Sequence, residues 1–194
     1  MSGWIRKPEK WSATSIGAIP IGQEVAVTPL QVLRAYAAIA NGGYLVQPHI
    51  VNEIRTNEGQ PVFKFSQKEK KRAVSEKTAA LFRDILKTVT EEGGTATSAA
   101  VNGNQVAGKT GTAQLIDPRT KRYSKDRFIS SFVGFVPADN PKFAMIVIVY
   151  EPKGAIYGGV VAGPVFKNIA DQALSYMNVP RDDGLDKNVL LVSK

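Results

Sequence analysis

The chain has 194 residues, one domain's worth, and its 43% hydrophobic and 22% charged content is that of an ordinary globular protein. It lacks cysteine and has one histidine, His49. That excludes disulfides, thiolate nucleophiles, cysteine zinc sites and any multi-histidine metal site built from this chain alone. The net charge is +8, yet no apolar run reaches the roughly 18 residues of a membrane helix, and Met1-Ser2-Gly3 leads into a basic segment without the apolar core of an export signal.

Residues 4–21 show no periodicity and read as a loop or extended lead-in. Thr28-Pro29 then supplies a hydroxyl cap and a proline at the first helical position. Leu30, Leu33, Ala37 and Ala40 recur at helical spacing, and Asn41-Gly42-Gly43 ends the helix. Residues 46–54 and 62–65 read as two strands around an Asn57-Glu58-Gly59 turn. Ser75 caps a second helix whose apolar stripe is Phe82, Ile85, Leu86 and Val89, with Gly93-Gly94 as its stop.

A small-residue stretch and a turn at Asn102-Gly103-Asn104 precede three strands, 106–115, 128–136 and 143–150. Short connections between them predict an antiparallel meander. The third strand is nearly all apolar, which fits a central strand buried on both faces. A closing helix over 165–177 carries Phe166, Ile169, Ala170, Ala173, Leu174 and Met177 as its buried stripe. From Pro180 the chain reads as a linker or tail, with a short apolar stretch from Val189 to Val192. Helices, then a strand meander, then a helix make an α+β pattern. The division expected is one domain portion over 1–179 and a tail over 180–194.

The most informative residues are Lys109-Thr110-Gly111-Thr112, on the first meander strand. Lysine places a positive charge beside hydroxyl groups. Strand alternation puts Thr110 and Thr112 on one side, and Lys109 and Gly111 on the other. A peptide lying along such an edge pairs its backbone with the strand, and the threonine hydroxyls and the ammonium suit its carboxylate. Gly111 admits a close backbone, and a strand N–H here suits an oxyanion.

Lys-Thr-Gly on a strand is one signature of penicillin-binding proteins and serine β-lactamases. The surroundings extend the likeness. Ile21-Gly22-Gln23-Glu24, Val27-Thr28-Pro29-Leu30-Gln31 and Ala35-Tyr36-Ala37-Ala38-Ile39-Ala40-Asn41-Gly42-Gly43 come before the triplet. Thr112-Ala113-Gln114, Phe132-Val133-Gly134-Phe135-Val136-Pro137-Ala138-Asp139-Asn140-Pro141, Tyr157-Gly158-Gly159 and Ala162-Gly163-Pro164-Val165-Phe166 follow it. In order and spacing, from about Ile21 to Met177, the chain resembles the C-terminal half of the transpeptidase domain of class B penicillin-binding proteins.

The resemblance implies a penicillin-binding, serine β-lactamase-like α+β fold, present in part, without metal or organic cofactor. It implies acyl transfer: a serine attacks the penultimate D-Ala carbonyl of a peptidoglycan stem peptide, releases D-Ala and passes the acyl group to an amine. β-Lactams trap the acyl-enzyme. Lys109, Thr110, Gly111 and Thr112 would bind substrate, with Lys109 and Thr112 also in the catalytic machinery. The implied partners are the stem peptide, β-lactam antibiotics, the N-terminal half of the same domain, and cell-wall synthesis or division proteins around a membrane-anchored, extracytoplasmic parent.

No serine here has lysine three residues on or asparagine two residues on, so the family's Ser-x-x-Lys and Ser-x-Asn motifs have no counterpart in these residues. The nucleophile and the first strands of the sheet are therefore expected outside them. Strand 143–150 is then expected to lack a neighbour, a hydrophobic edge prone to association. The alternatives are a D,D-carboxypeptidase or β-lactamase of the same fold, or a non-catalytic peptidoglycan- or antibiotic-sensing module.

The remaining candidates read as structural. Basic clusters at Lys64, Lys68, Lys70, Lys71 and Arg72, and at Arg119, Lys121, Arg122, Lys125 and Arg127, fit solvated loops or attraction to an anionic surface. Neither is interleaved with stacking aromatics, so nucleic acid is not an expected partner. His49 reads as a structural or surface residue, Glu91-Glu92 as a solvated helix end, and Asp139-Asn140 as a turn. Gly93-Gly94-Thr95-Ala96 and Tyr157-Gly158-Gly159 read equally as turns and as borders of a substrate groove.

Overall fold

The computed structural model describes residues 3–67 and 71–182. Lys68, Lys70 and the apolar stretch from Val189 to Val192 lie outside them. The expected lead-in is partly ordered: β1 (Trp4–Ile5) pairs antiparallel with β2 (Val25–Ala26), with α1 (Ser15–Ala18) between. Buried Ser15 donates to Glu24 Oε2 at 2.8 Å, and Arg6 meets the same carboxylate at 3.5 Å. Polar side chains organise this segment, so its sequence carries no apolar period.

Helix α2 (Pro29–Ala40) begins at the expected cap. Gln31 N donates to Thr28 Oγ1 at 3.2 Å and Thr28 N to Gln31 Oε1 at 2.8 Å, a reciprocal capping box. A small hairpin follows, β3 (Glu53–Arg55) with β4 (Pro61–Lys64). The strand expected from residue 46 thus begins only at Glu53. Helix α3 (Glu76–Lys87) starts at Ser75, whose hydroxyl accepts from Thr78 N at 3.0 Å. It ends at Lys87, before the Gly93-Gly94 stop, and Lys87 Nζ reaches Asp139 Oδ1 at 2.6 Å, in the turn after the second meander strand. That hydrogen bond raises the Lys87 pKa above its ordinary value.

The meander is β5 (Ala107–Ile116), β6 (Tyr123–Val136) and β7 (Phe143–Tyr150), antiparallel in the order β5-β6-β7. Two short steps complete the chain, α4 (Gly158–Val161) and α5 (Gly163–Tyr176). Alternation along the strands sends side chains to two cores. Val106, Phe132 and Val136 meet Phe166, Ala170 and Leu174 of α5. Ala107 and Phe135 meet Leu86 of α3 with Tyr36, Ile39 and Ala40 of α2. Burial there raises the Tyr36 pKa. Phe132 and Phe166 make an edge-to-face pair, centroids 4.8 Å apart at 76°. No helix among the described residues is long and apolar enough to cross a membrane.

Among the described residues β7 is an edge strand and β6 the central one, as expected of a strand whose further neighbour lies outside them; α5 covers one face of β7 and α2 the other. Two expectations about helix faces need correction. On α3, Phe82 and Ile85 are exposed and only Ala79 and Leu86 are fully buried. On α5, the buried stripe is the strict Phe166-Ala170-Leu174 row, while Ile169 and Met177 face outward. Phe166→Ala is therefore expected to cost about 3–5 kcal/mol in denaturant unfolding, and Ile169→Ala well under about 1 kcal/mol.

Candidate active site

Of β5's two edges, one pairs with β6 and the other carries no strand among the described residues. Its register sets Lys109 opposite Val133, Thr110 opposite Phe132, Gly111 opposite Ser131 and Thr112 opposite Ser130. The strand starts inside the protein, with Ala107 and Gly108 buried, and becomes exposed from Thr112 onward. The functional tetrapeptide thus sits where the sheet emerges.

Both threonines lie on the α4/α5 side, as alternation requires. Thr110 Oγ1 stands 3.2 Å from Thr95 Oγ1, and Thr112 Oγ1 accepts from Gly158 N at 3.3 Å. Lys109 leaves on the opposite side and curls back over the edge. Its Nζ donates to Thr110 O and Thr110 Oγ1, each at 3.2 Å. The ammonium and the Thr110 hydroxyl therefore converge although their side chains start on opposite faces. Among the described residues no carboxylate forms an ion pair with Lys109.

Lys109 also lies on the rim of two hollows. One, about 380 Å³, is bounded by Thr88, Val89, Glu91, Glu92 and the Gly93-Gly94-Thr95 loop. The other, about 430 Å³ and apolar, runs between α2 and α3 past Tyr36, Ile39, Phe82 and Leu86.

The edge is buttressed through backbone contacts. A Cβ on Gly158 would run into the carbonyl oxygens of Ser131 and Gly111, and one on Gly159 into Thr95 O. Ser98 Oγ donates to Gly159 O, and Ser130 Oγ to Ile156 O. So the Gly-Gly-Thr loop and the Tyr-Gly-Gly turn pack against one another and against β5. Gly111 faces Ser131 Oγ, so its missing side chain first accommodates a neighbour across the sheet.

Sequence reasoning did not place Thr95 with Lys109, Thr110, Gly111 and Thr112. Its only signal was the small-residue loop that holds it. Two other candidates are engaged elsewhere: His49 stacks on Phe65 with centroids 3.5 Å apart, and Asp139 serves Lys87. Glu91 and Glu92 instead border the smaller hollow beside Lys109. Glu91 accepts from Gln105 Nε2 at 2.8 Å.

Beyond Gln114 the β5–β6 ladder is interrupted. Gln114 pairs with Phe128 and Ile116 with Tyr123, so one residue of β5 faces four of β6. The resulting bulge is held by Ser124, whose hydroxyl donates to Asp126 Oδ1 at 2.6 Å, and by an Arg127–Glu151 ion pair at 2.7 Å. The Ser124 bond holds the Asp126 carboxyl below its ordinary pKa, and the Arg127 bond does the same for Glu151.

A fold of the penicillin-binding, serine β-lactamase type is defined by this meander, its flanking helices and the Lys-Thr-Gly edge. Residues 1–171 match the penicillin binding protein transpeptidase domain family. Stage V sporulation protein D of Bacillus subtilis is 41% identical over 169 residues, covering 86% of this chain and 26% of that protein. Penicillin-binding protein PbpB of Mycolicibacterium smegmatis is 35% identical over 187 residues, covering 92% and 29%. The crystal structure of penicillin binding protein 3 from Mycobacterium tuberculosis complexed with aztreonam superposes with a TM-score of 0.84 at 34% identity, over 92% of this chain and 42% of that one. The chain belongs to the class B penicillin-binding protein transpeptidases. It spans between a quarter and a third of the length of these two relatives.

Two predictions concern this geometry. Gly158→Ala must push α4 off the strand or shift the Gly111 and Ser131 carbonyls, at a cost of about 1–3 kcal/mol in thermal unfolding. Glu151 is expected to titrate below its ordinary 4.5 by NMR, and Arg127→Gln to return it there. Because the folded pKa is the lower one, the pair's contribution is present above pH 4.5 and fades as pH falls through the folded value.

Proposed function

We propose that this chain supplies the substrate-holding edge of a peptidoglycan D,D-transpeptidase. The observation that carries the reading is the open edge of β5, where the Lys109 ammonium and the Thr110 hydroxyl converge with no carboxylate among the described residues paired to them. The stem peptide lies along this edge with its terminal carboxylate at Lys109 and Thr110. Gly111 keeps the strand flat beneath it, and the Thr112 N–H faces the oxygen of the reacting carbonyl. A serine in a Ser-x-x-Lys pair, outside these 194 residues, attacks the penultimate D-Ala carbonyl. D-Ala leaves, and an amine of a second stem peptide resolves the acyl-enzyme. β-Lactams occupy the same edge as mimics of the D-Ala-D-Ala end. That a relative was solved with aztreonam and another time with ampicillin supports this for the family fold.

The N-terminal half of the domain is the partner this surface calls for. It would cover the apolar groove between α2 and α3, where Phe82 and Ile85 stand exposed, and continue the sheet beyond the free edge of β7. In this reading residues 1–179 are the C-terminal portion of the transpeptidase domain and 180–194 a linker or tail, of which the structure describes Pro180, Arg181 and Asp182. The tail's first residues are clipped to the body: Asn104 Nδ2 donates to Pro180 O at 3.1 Å and Gln105 N to Asp182 Oδ2 at 3.2 Å. The parent works outside the cytoplasm, anchored to the membrane and associated with cell-wall synthesis or division proteins.

The test is intact-mass measurement of the full-length parent with penicillin. A single stoichiometric adduct is expected, on a serine outside these residues. Lys109→Ala and Thr110→Val are expected to slow acylation by about 10²-fold, the scale of losing one charge-stabilising contact in an active site. A stoichiometric adduct on the 194-residue chain alone would overturn the assignment of the nucleophile elsewhere.

A further inference from the structure

The hairpin that prolongs β5 and β6 beyond the bulge is not used by the reaction as drawn. Between Asp117 and Arg127 it carries five cations against two carboxylates. Both carboxylates are engaged within the hairpin. Asp117 Oδ1 accepts from Arg119 N at 2.7 Å and Thr120 N at 3.0 Å, and Asp126 is held by Ser124. Arg127 is paired with Glu151. Arg119, Lys121, Arg122 and Lys125 remain, all exposed and without an ion pair among the described residues. Beside them Ile116 and Tyr123, a cross-strand pair, are 59% and 52% exposed.

The hairpin's position follows from β5 itself. A peptide whose terminal carboxylate sits at Lys109 and Thr110 has one direction in which to run. Toward Ala107 and Gly108 the strand is buried; toward Ala113 and Gln114 it is exposed. Six residues from Thr110 bring it to Ile116, about 20 Å along the strand, the span of an extended peptide of about six residues. There it meets an exposed apolar pair in the hairpin that carries the four cations.

Resting on the transpeptidase reading, we propose that the β5–β6 hairpin is a specificity arm of the substrate edge, on which Arg119, Lys121, Arg122 and Lys125 bind the side-chain carboxylates of an acidic donor peptide. The arm acts through complementary charge at an exposed surface, so its effect is salt-dependent and adds to the contacts at Lys109 and Thr110 without replacing them. A β-lactam, which is too short to reach Ile116, does not engage it.

The test uses the full-length parent and a variant carrying Arg119→Gln, Lys121→Gln, Arg122→Gln and Lys125→Gln. These residues enter the Asp117 turn through their backbone groups and Lys125 lies in the bulge without a side-chain bond to Ser124, so the side-chain changes leave both sets of hydrogen bonds in place. Two fluorescent peptides ending in D-Ala-D-Ala are compared by anisotropy, one with free side-chain carboxyls and one with the same carboxyls amidated. The parent is expected to bind the acidic peptide about tenfold more tightly at low salt, with the preference falling to within about twofold near 0.5 M salt. The variant is expected to bind both alike while its rate of penicillin acylation stays unchanged. Equal binding of the two peptides by the parent, or a preference that survives in the variant, would overturn the proposal. So would a variant that keeps the preference but loses affinity for vesicles of anionic phospholipid, which would make the arm a membrane contact. Absence of penicillin acylation in the parent would instead sink the transpeptidase reading, and the anisotropy contrast, which needs no turnover, would still decide the arm.

Discussion

The start of α4 rests directly on peptide oxygens. At Gly158 the backbone lies so close to the carbonyls of Gly111 and Ser131 that no side chain fits between, and its N–H reaches Thr112 Oγ1. One step on, Gly159 packs equally closely on Thr95 O, and Ser98 closes the contact. Interiors at crystal-like density transmit position through such contacts, because there is no slack to absorb a shift. The Lys-Thr-Gly-Thr strand, the loop before it and the turn after the sheet are therefore one body, and Thr110 and Thr112 take their orientation from it. Phe132 and Phe166 anchor the far side of that body, with α5 held against the sheet by their edge-to-face contact.

Much of this order was legible in the sequence, and the legible part has local causes. Thr28-Pro29 with Gln31, and Ser75 with Thr78, specify helix starts through hydrogen bonds within one turn, so they need no knowledge of the rest of the chain. The meander was readable because its strands are apolar and closely connected. The side of the strand on which each member of Lys109 to Thr112 lies follows from a period of two. What alternation could not show is that the Lys109 ammonium would curl back to the Thr110 hydroxyl, since that depends on side-chain torsions beyond Cβ.

The errors have a common origin in long-range packing. Ile169, Met177, Phe82 and Ile85 are apolar at nearly helical spacing, and periodicity assigns them inward. A helix lying on a flat sheet buries only a narrow row, here Phe166, Ala170 and Leu174. Residues a turn's fraction away are left at the margin. The Thr95 loop read equally as a turn and as a border of the groove, because a threonine among small residues carries no local mark and only the fold brings it to Thr110.

A division of electrostatic labour follows from where the carboxylates are. The acids around the sheet are engaged: Asp139 by Lys87, Glu151 by Arg127, Asp126 by Ser124 and Glu91 by Gln105. The bonds from Ser124 and Arg127 favour the ionised forms of Asp126 and Glu151, and all four pairings fix the acid in place. The cations left without a counter-ion include Lys109 at the emerging edge and Arg119, Lys121, Arg122 and Lys125 farther along the same strand pair. Exposed charges of one sign along one open edge repel each other weakly in water, so the cost to the fold is small. Cations so placed suit the anionic partner proposed for the substrate edge. A net charge of +8 is thus better read as a field with a direction than as a property of the whole surface.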